Sequence, residues 1–311
     1  MSACPACGHD AWRPHLVAAD MFTGDPYTIV RCDRCGLRRT AEDGRPPSAD
    51  SYMYGGRSDA GKRFGAMQWL LRLFRSGRAR RFSTRHAGRA LDVGCGDGAF
   101  LEALAGKGWE VYGTELTSSI AATARERLGN RLRVGNLEEA GFASTSYDLV
   151  TFWHVLEHLD APDRALTEAR RLLKPDGQIV VAVPNIDSWQ ARVFKEDWLH
   201  LDVPRHRWHF SPRTLAALAG RCGLRAERVR HFSLEYGPVA VVQGVASRLG
   251  LGHLLFTRFV RGFPARLIHE PLFWANMAVA VFMAVPSLLF ELTGAFCRRG
   301  GAIEVVLRPI P

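Results

Sequence analysis

The chain has 311 residues, with 41 Lys+Arg against 31 Asp+Glu and a formal net charge of +10. Its 47% hydrophobic and 23% charged content excludes a disordered or collagen-like chain, and the length allows one to two domains. Seven cysteines are too few for a disulfide-stapled secreted scaffold. The start, MSACPACGHD, has neither the basic nor the apolar region of a signal peptide, so a reducing cytoplasm is expected. The charge is uneven: net +9 over residues 57–89, −7 over 90–204 and +6 over 205–230. A uniformly basic nucleic-acid binder would not be patterned in this way.

The first element is a pair of cysteine knuckles, Cys4-Pro-Ala-Cys7-Gly and Cys32-Asp-Arg-Cys35-Gly. A two-residue spacing lets both thiolates of a knuckle turn to one ion, and two such pairs make the closed Cys4 set of a structural zinc site. Tyr27 to Val30 reads as the strand leading into the second knuckle, so residues 1–40 are expected to form a zinc ribbon. Residues 41–61, rich in Gly, Pro, Ser and Asp, read as a linker. Residues 62–75 predict a helix with Phe64, Met67, Leu71 and Phe74 on one face and Arg72 and Arg75 on another, a row that Arg78 continues.

Next, Ala90 to Val93 reads as a strand that runs into the turn Gly94-Cys95-Gly96-Asp97-Gly98 and then a helix. Glu110 to Glu115 follows as a second strand ending in an acid, the place where a ribose-binding carboxylate sits in nucleotide-binding α/β folds. A lone G-x-G-x-G is weak evidence; a strand before it and an acid at the end of the next strand make it strong.

These segments, with GNLEEAGFASTSYDLVTFWHVLEHL and LLKPDGQIVVAVPN, resemble a class I S-adenosylmethionine-dependent methyltransferase of the LDVGCGxG and VLEH type. The likeness covers about residues 85–235, and the final GAIEVVLRPIP resembles the family's last sheet strand. It implies an α/β, Rossmann-like seven-stranded sheet occupying 62–236, an apolar helical insertion over 237–300 and the last strand over 301–311. It places Asp92, Gly94 and Gly96 along the methionine and ribose of S-adenosylmethionine, Glu115 on the ribose hydroxyls and Leu116 against adenine. Asn136 and Leu137 fall at the adenine edge, where the family often has Asp in place of Asn136, and Trp153 and His154 fall at the sulfonium. Lys174 to Gly177 is expected to be the turn into the fifth strand, Gln178 to Pro184.

Residues 189–210, WQARVFKEDWLHLDVPRHRWHF, carry five aromatics and three histidines. Family members with a similar segment place it over the active site, so His206, then His209, are candidate bases for an acceptor hydroxyl, and His154 is a third. Ser211 is the expected cap of a helix with Pro212 at its first position.

Leu272 to Phe290 is a 19-residue run with 16 apolar residues, long enough to span a bilayer, yet a sheet strand follows it. Helices over the acceptor site or in one leaflet are therefore expected, with Arg258, Arg261, Arg266, Arg298 and Arg299 at the headgroups; a buried hairpin or a dimer face is the other reading. The expected function is methyl transfer to an oxygen or carbon of a small-molecule, saccharide or lipid-linked acceptor, at the inner face of a membrane. The alternative is a zinc-ribbon ribosomal RNA methyltransferase, with the basic stretch on phosphates.

Overall fold

The structure is a computed structural model and describes residues 3–42, 77–82, 87–116, 118–252 and 269–310. The expected basic helix at 62–75, nearly all of the expected linker, and Arg258, Arg261 and Arg266 lie outside the described residues. In chain order the first elements are β1 (Trp12–Ala19), β2 (Pro26–Cys32), β3 (Arg38–Thr40), β4 (Arg89–Val93), α1 (Ala99–Ala105), β5 (Glu110–Glu115), α2 (Ser118–Leu128), β6 (Leu132–Val134) and β7 (Tyr147–Trp153). There follow α3 (Pro162–Leu172), β8 (Leu173–Pro184), α4 (Trp189–Phe194), β9 (Trp208–His209), α5 (Pro212–Arg221), β10 (Leu224–Arg230), α6 (Gly237–Arg248), α7 (Pro271–Phe296) and β11 (Ala302–Pro309).

The chain divides into two compact units. The first, residues 55–183, 216–229 and 305–311, holds the body of a seven-stranded sheet in the order β10-β11-β8-β7-β4-β5-β6. Its β8, β7, β4, β5 and β6 run parallel. The central strands are buried on both faces, which is why Ile179 to Val183 and Leu149 to Phe152 read as unbroken apolar runs apart from Thr151. Helix α3 begins with Pro162 in its first turn and buries Ala165, Leu166, Ala169 and Leu172. The expected Rossmann-like sheet is present, and β11 takes an inner place in it although it is last in sequence. The expected turn at Lys174 to Gly177 is instead part of β8, which starts at Leu173 and shifts register against β7 between Tyr147 and Leu149.

The second unit, residues 1–54, 184–215 and 230–304, is built on an antiparallel sheet, β1-β2-β3-β9. The ribbon therefore does not end near residue 40. Its fourth strand comes from the aromatic segment, with Arg38 opposite His209 and Arg39 opposite Trp208. Tyr27 and Ile29 of β2 share a core with Phe194, Trp198, Leu201, Val203 and Val241, and Met283 and Phe290 of α7 pack against it.

Helix α7 is apolar on its outward face and polar on its buried one. Asn276, Ser287, Glu291 and Gly294 are buried, whereas Val281, Phe282 and Phe296 are 73%, 80% and 91% exposed. At its C-terminal end the Glu291 carboxylate accepts from Gly301 N–H (3.0 Å) and Gln190 Nε2 (2.6 Å). Gln190 Nε2 also donates to the Gly237 carbonyl at 2.9 Å, and its Oε1 accepts from Trp198 Nε1 at 3.1 Å. Burial pushes the Glu291 carboxyl up to about 7 against the pull of these two donors.

Candidate cofactor and metal sites

The loop after β4 is shaped by two glycines. At Gly94 (φ +65°) a Cβ would lie 2.6 Å from Val155 Cγ2, so only glycine lets the chain pass. At Gly96 (φ +57°) a Cβ would meet nothing within 4 Å, so the backbone there faces open space. Gly96 N–H donates to Glu115 Oε2 at 2.9 Å, and Cys95 N–H to the Thr114 carbonyl at 2.9 Å, which ties the loop to the end of β5. Asp92, at the other side of the turn, accepts from Thr151 Oγ1 at 2.5 Å. The carboxylates of Asp92 and Glu115 are both buried, on adjacent strand ends. Cys95 packs against Gly113, and burial, then Asp92 and Glu115, push its thiol up, so it is an inert packing residue.

Beyond Glu115 the sheet end is open and apolar. Leu116 is 62% exposed, Val134 is exposed, a Cβ on Gly135 would meet nothing within 4 Å, and Asn136 lies at the surface above buried Leu137. Such an edge suits the flat face of a purine, with an amide beside it. At the end of β7, Trp153 packs edge-on to Phe100 (5.5 Å, 72°), and the Arg78 guanidinium lies 4.8 Å over its ring. His154 has φ +53°, donates its N–H to the Ala182 carbonyl at 2.9 Å, and sets Nδ1 3.3 Å from Glu157 Oε1. The nine cofactor residues named from the sequence thus fall at the carboxyl ends of the parallel strands β4, β5 and β7 or on the loops after β4, β5, β6 and β7.

A family model described as a methyltransferase domain matches residues 63–229. The chain belongs to the S-adenosylmethionine-dependent methyltransferases. It is 30% identical over 182 residues to a ubiquinone biosynthesis O-methyltransferase of Bordetella avium, covering 55% of this chain and 75% of that one. It is 28% identical over 182 residues to the protein of the same name from Thiobacillus denitrificans, with 55% and 78% covered. Among solved structures, a chain of the complex between the Haloferax volcanii Trm112 methyltransferase activator and a methyltransferase shares the fold. Its TM-score is 0.51 at 17% identity, over 85% of this chain and 99% of that one.

The methyltransferase carries its four knuckle cysteines as a cluster. Cys4 Sγ lies 3.5 Å from Cys35 Sγ and Cys7 Sγ 3.6 Å from Cys32 Sγ, and all four sulfurs are within 4.8 Å of one another. A tetrahedral ion with metal–sulfur bonds of about 2.3 Å needs sulfurs about 3.8 Å apart, so the donor set fits zinc. Leu37 N–H, just past the Gly36 turn, points at Cys35 Sγ at 3.5 Å.

Of the candidate bases, His154 lies in the methyltransferase sheet unit, and His206 and His209 lie in the ribbon unit. His206 donates Nδ1–H to the His200 carbonyl at 2.8 Å and turns Nε2 toward Asp202 Oδ2 at 3.7 Å. His209 is buried against Thr40. Thr40 Oγ1 gives its proton to the His206 carbonyl (2.7 Å), so it accepts from His209 Nε2–H at 3.1 Å. Burial, then His206 and Arg38, lower His209 to about 3. His209 thus ties β3 to β9, and a buried ring so hard to protonate is the weakest of the three candidates for the base. Sequence reasoning missed Arg78 over Trp153, the Thr151–Asp92 bond and the Gln190–Glu291 pair. Each joins residues distant in sequence, and no local pattern announces them.

Proposed function

We propose that this methyltransferase methylates an oxygen of a small lipid-like or saccharide acceptor, working at the cytoplasmic face of a membrane. The observation that carries the proposal is α7, whose outward side is a continuous apolar face. It is the one described helix long and apolar enough to cross a membrane, and only 11% of its most apolar window is buried. Helix α6 lines its other side: Gly237 meets the Glu291 end, and the Leu251 carbonyl accepts from Asn276 Nδ2 at 3.4 Å at the other. A helix with protein along one side and apolar side chains along the other suits burial in one leaflet better than a crossing. The relatives named as ubiquinone biosynthesis O-methyltransferases support an oxygen acceptor and a lipid-like one.

When bound, S-adenosylmethionine supplies an electrophilic methyl on a cationic sulfur. Glu115 would accept from the ribose hydroxyls, with Leu116, Asn136 and Leu137 around adenine. Asp92, Gly94 and Gly96 would line the methionine, and Trp153 and His154 the reacting end. The chemistry the cofactor would supply is a one-step displacement at the methyl, for which these residues would hold donor and acceptor in line. The hydroxyl proton would go to a base, for which His206 is the first candidate from the sequence. Orientation supplies most of the remaining acceleration. Zinc held by Cys4, Cys7, Cys32 and Cys35 would be structural, with no open position.

Flotation with phosphatidylcholine vesicles tests the membrane part. Wild type floats, and the double variant Phe282→Asp, Val285→Asp stays in solution with its circular dichroism unchanged. Salt-sensitive RNA binding without vesicle retention would contradict the proposal and favour the RNA reading.

A further inference from the structure

The ribbon sheet carries a row of arginines that methyl transfer does not use. In cross-strand register Arg13 of β1 stands opposite Arg31 of β2, Arg31 opposite Arg38 of β3, and Arg38 opposite His209 of β9. Residues directly opposite in an antiparallel sheet project to the same face, and like charges placed so are destabilising unless something offsets them. Arg213 of α5 joins the row. A Cβ on Gly36 would lie 3.0 Å from Arg213 Nη2 and 3.3 Å from both Arg31 Nε and Arg31 Nη2, so these two guanidiniums converge on one turn.

Compensation inside the chain is incomplete. Arg13 pairs with Asp33 at 3.0 Å and Arg38 with Asp187 at 3.1 Å, while Arg213 Nη2 donates to the Cys35 carbonyl at 2.7 Å. Among the described residues Arg31 has no carboxylate partner, and its Nε and that of Arg38 are buried without a hydrogen-bond partner. A buried donor left unmade costs free energy, and a guanidinium fork matches a phosphate or carboxylate face. His15, at the β1 bulge, is lowered by burial first and then by Arg38, Arg31 and Arg13, so the same positive field reaches it. The row is also continuous with the end of α7, because Arg299 Nη1 donates to the Asp187 carbonyl at 3.3 Å.

We propose that Arg31, Arg38 and Arg213 form a binding site for a phosphate-type oxyanion on the ribbon. A phosphate borne by a lipid headgroup and one borne by a soluble ligand present the same oxygens to this row. The site stands whether or not the acceptor assignment is right, since it rests on the ribbon alone.

The test is calorimetric titration of the zinc-loaded full chain with inorganic phosphate at constant ionic strength, for wild type, Arg31→Gln and Arg31→Lys. Wild type binds, Arg31→Gln weakens binding about tenfold or more, and Arg31→Lys falls between, because the charge stays and the fork is lost. Zinc content and near-UV circular dichroism report that each variant is folded; Arg213→Gln serves as the second site if Arg31→Gln is not. Vesicles of phosphatidylcholine with and without phosphatidylglycerol separate the sources. If Arg31→Gln also loses the extra retention that the anionic lipid gives, the ligand is a headgroup; if retention is unchanged while phosphate binding falls, it is a soluble phosphate. No phosphate binding by wild type, or equal binding by folded Arg31→Gln, overturns the site. The arginines would then serve only to offset the thiolate cluster.

Discussion

Glu115 holds the loop that would receive the cofactor as well as presenting a carboxylate to it, because Gly96 N–H donates to its Oε2. Glu115→Ala is therefore expected to weaken S-adenosylmethionine binding by about 10- to 100-fold, the worth of one or two charge-assisted bonds, with Glu115→Gln intermediate. Calorimetry reads both, and unchanged affinity in Glu115→Ala would refute the assignment. His209 makes a pH statement. Its folded pKa of about 3 lies below that of a free imidazole, so the unfolded chain binds the proton more readily and stability is lost as pH falls from about 6.5 toward 3. His209→Gln is expected to remove that part of the acid sensitivity in melting curves taken across this window. At this scale the glycine turn after β4 and the acid ending β5 were legible, because glycines at fixed spacing and an acid at a strand end are local signals. The role of His209 was not, because it depends on Thr40, far away in sequence.

Helix α7 shows how an element can be right in extent and unread in orientation. Its length and apolarity follow from residues 272–290, but which face is buried is decided by Asn276, Ser287, Glu291 and Gly294, which no amphipathic pattern singles out. The ribbon's fourth strand is a similar case: two residues, Trp208 and His209, carry no strand signal and pair only because β3 offers them an edge. Lys174 to Gly177 carries turn residues and still continues a strand, since the sheet absorbs them with a register shift. The Glu291 knot yields the second pH effect, with opposite sign. A carboxyl raised from its usual value to about 7 stabilises the fold below about pH 4.5, and that contribution is lost as pH rises toward 7. Glu291→Gln keeps the shape and removes the charge. It is expected to be more stable than wild type near pH 8, by up to about 3 kcal/mol, and to lose the difference near pH 4; parallel denaturation curves at both pH values check this.

At the scale of the molecule, the methyltransferase sheet and the four-cysteine ribbon are each stabilised in a different way. The sheet buries apolar strands between helices, and the ribbon depends on four sulfurs close enough to share an ion. One zinc per chain is expected by metal analysis, and Cys32→Ser should lower that content and melt the ribbon strands. The formal charge of +10 likewise resolves into places: +9 over residues 57–89 and +6 over 205–230, against −7 over 90–204. The measurement that bears most directly on the whole account is transfer of a radiolabelled methyl from S-adenosylmethionine. The zinc-loaded chain would be offered vesicles carrying a panel of lipid-soluble hydroxyl compounds alongside purified ribosomal RNA. Label in the lipid phase, abolished by Glu115→Ala, is the expected result; label in the RNA, or label that survives Glu115→Ala, would contradict it.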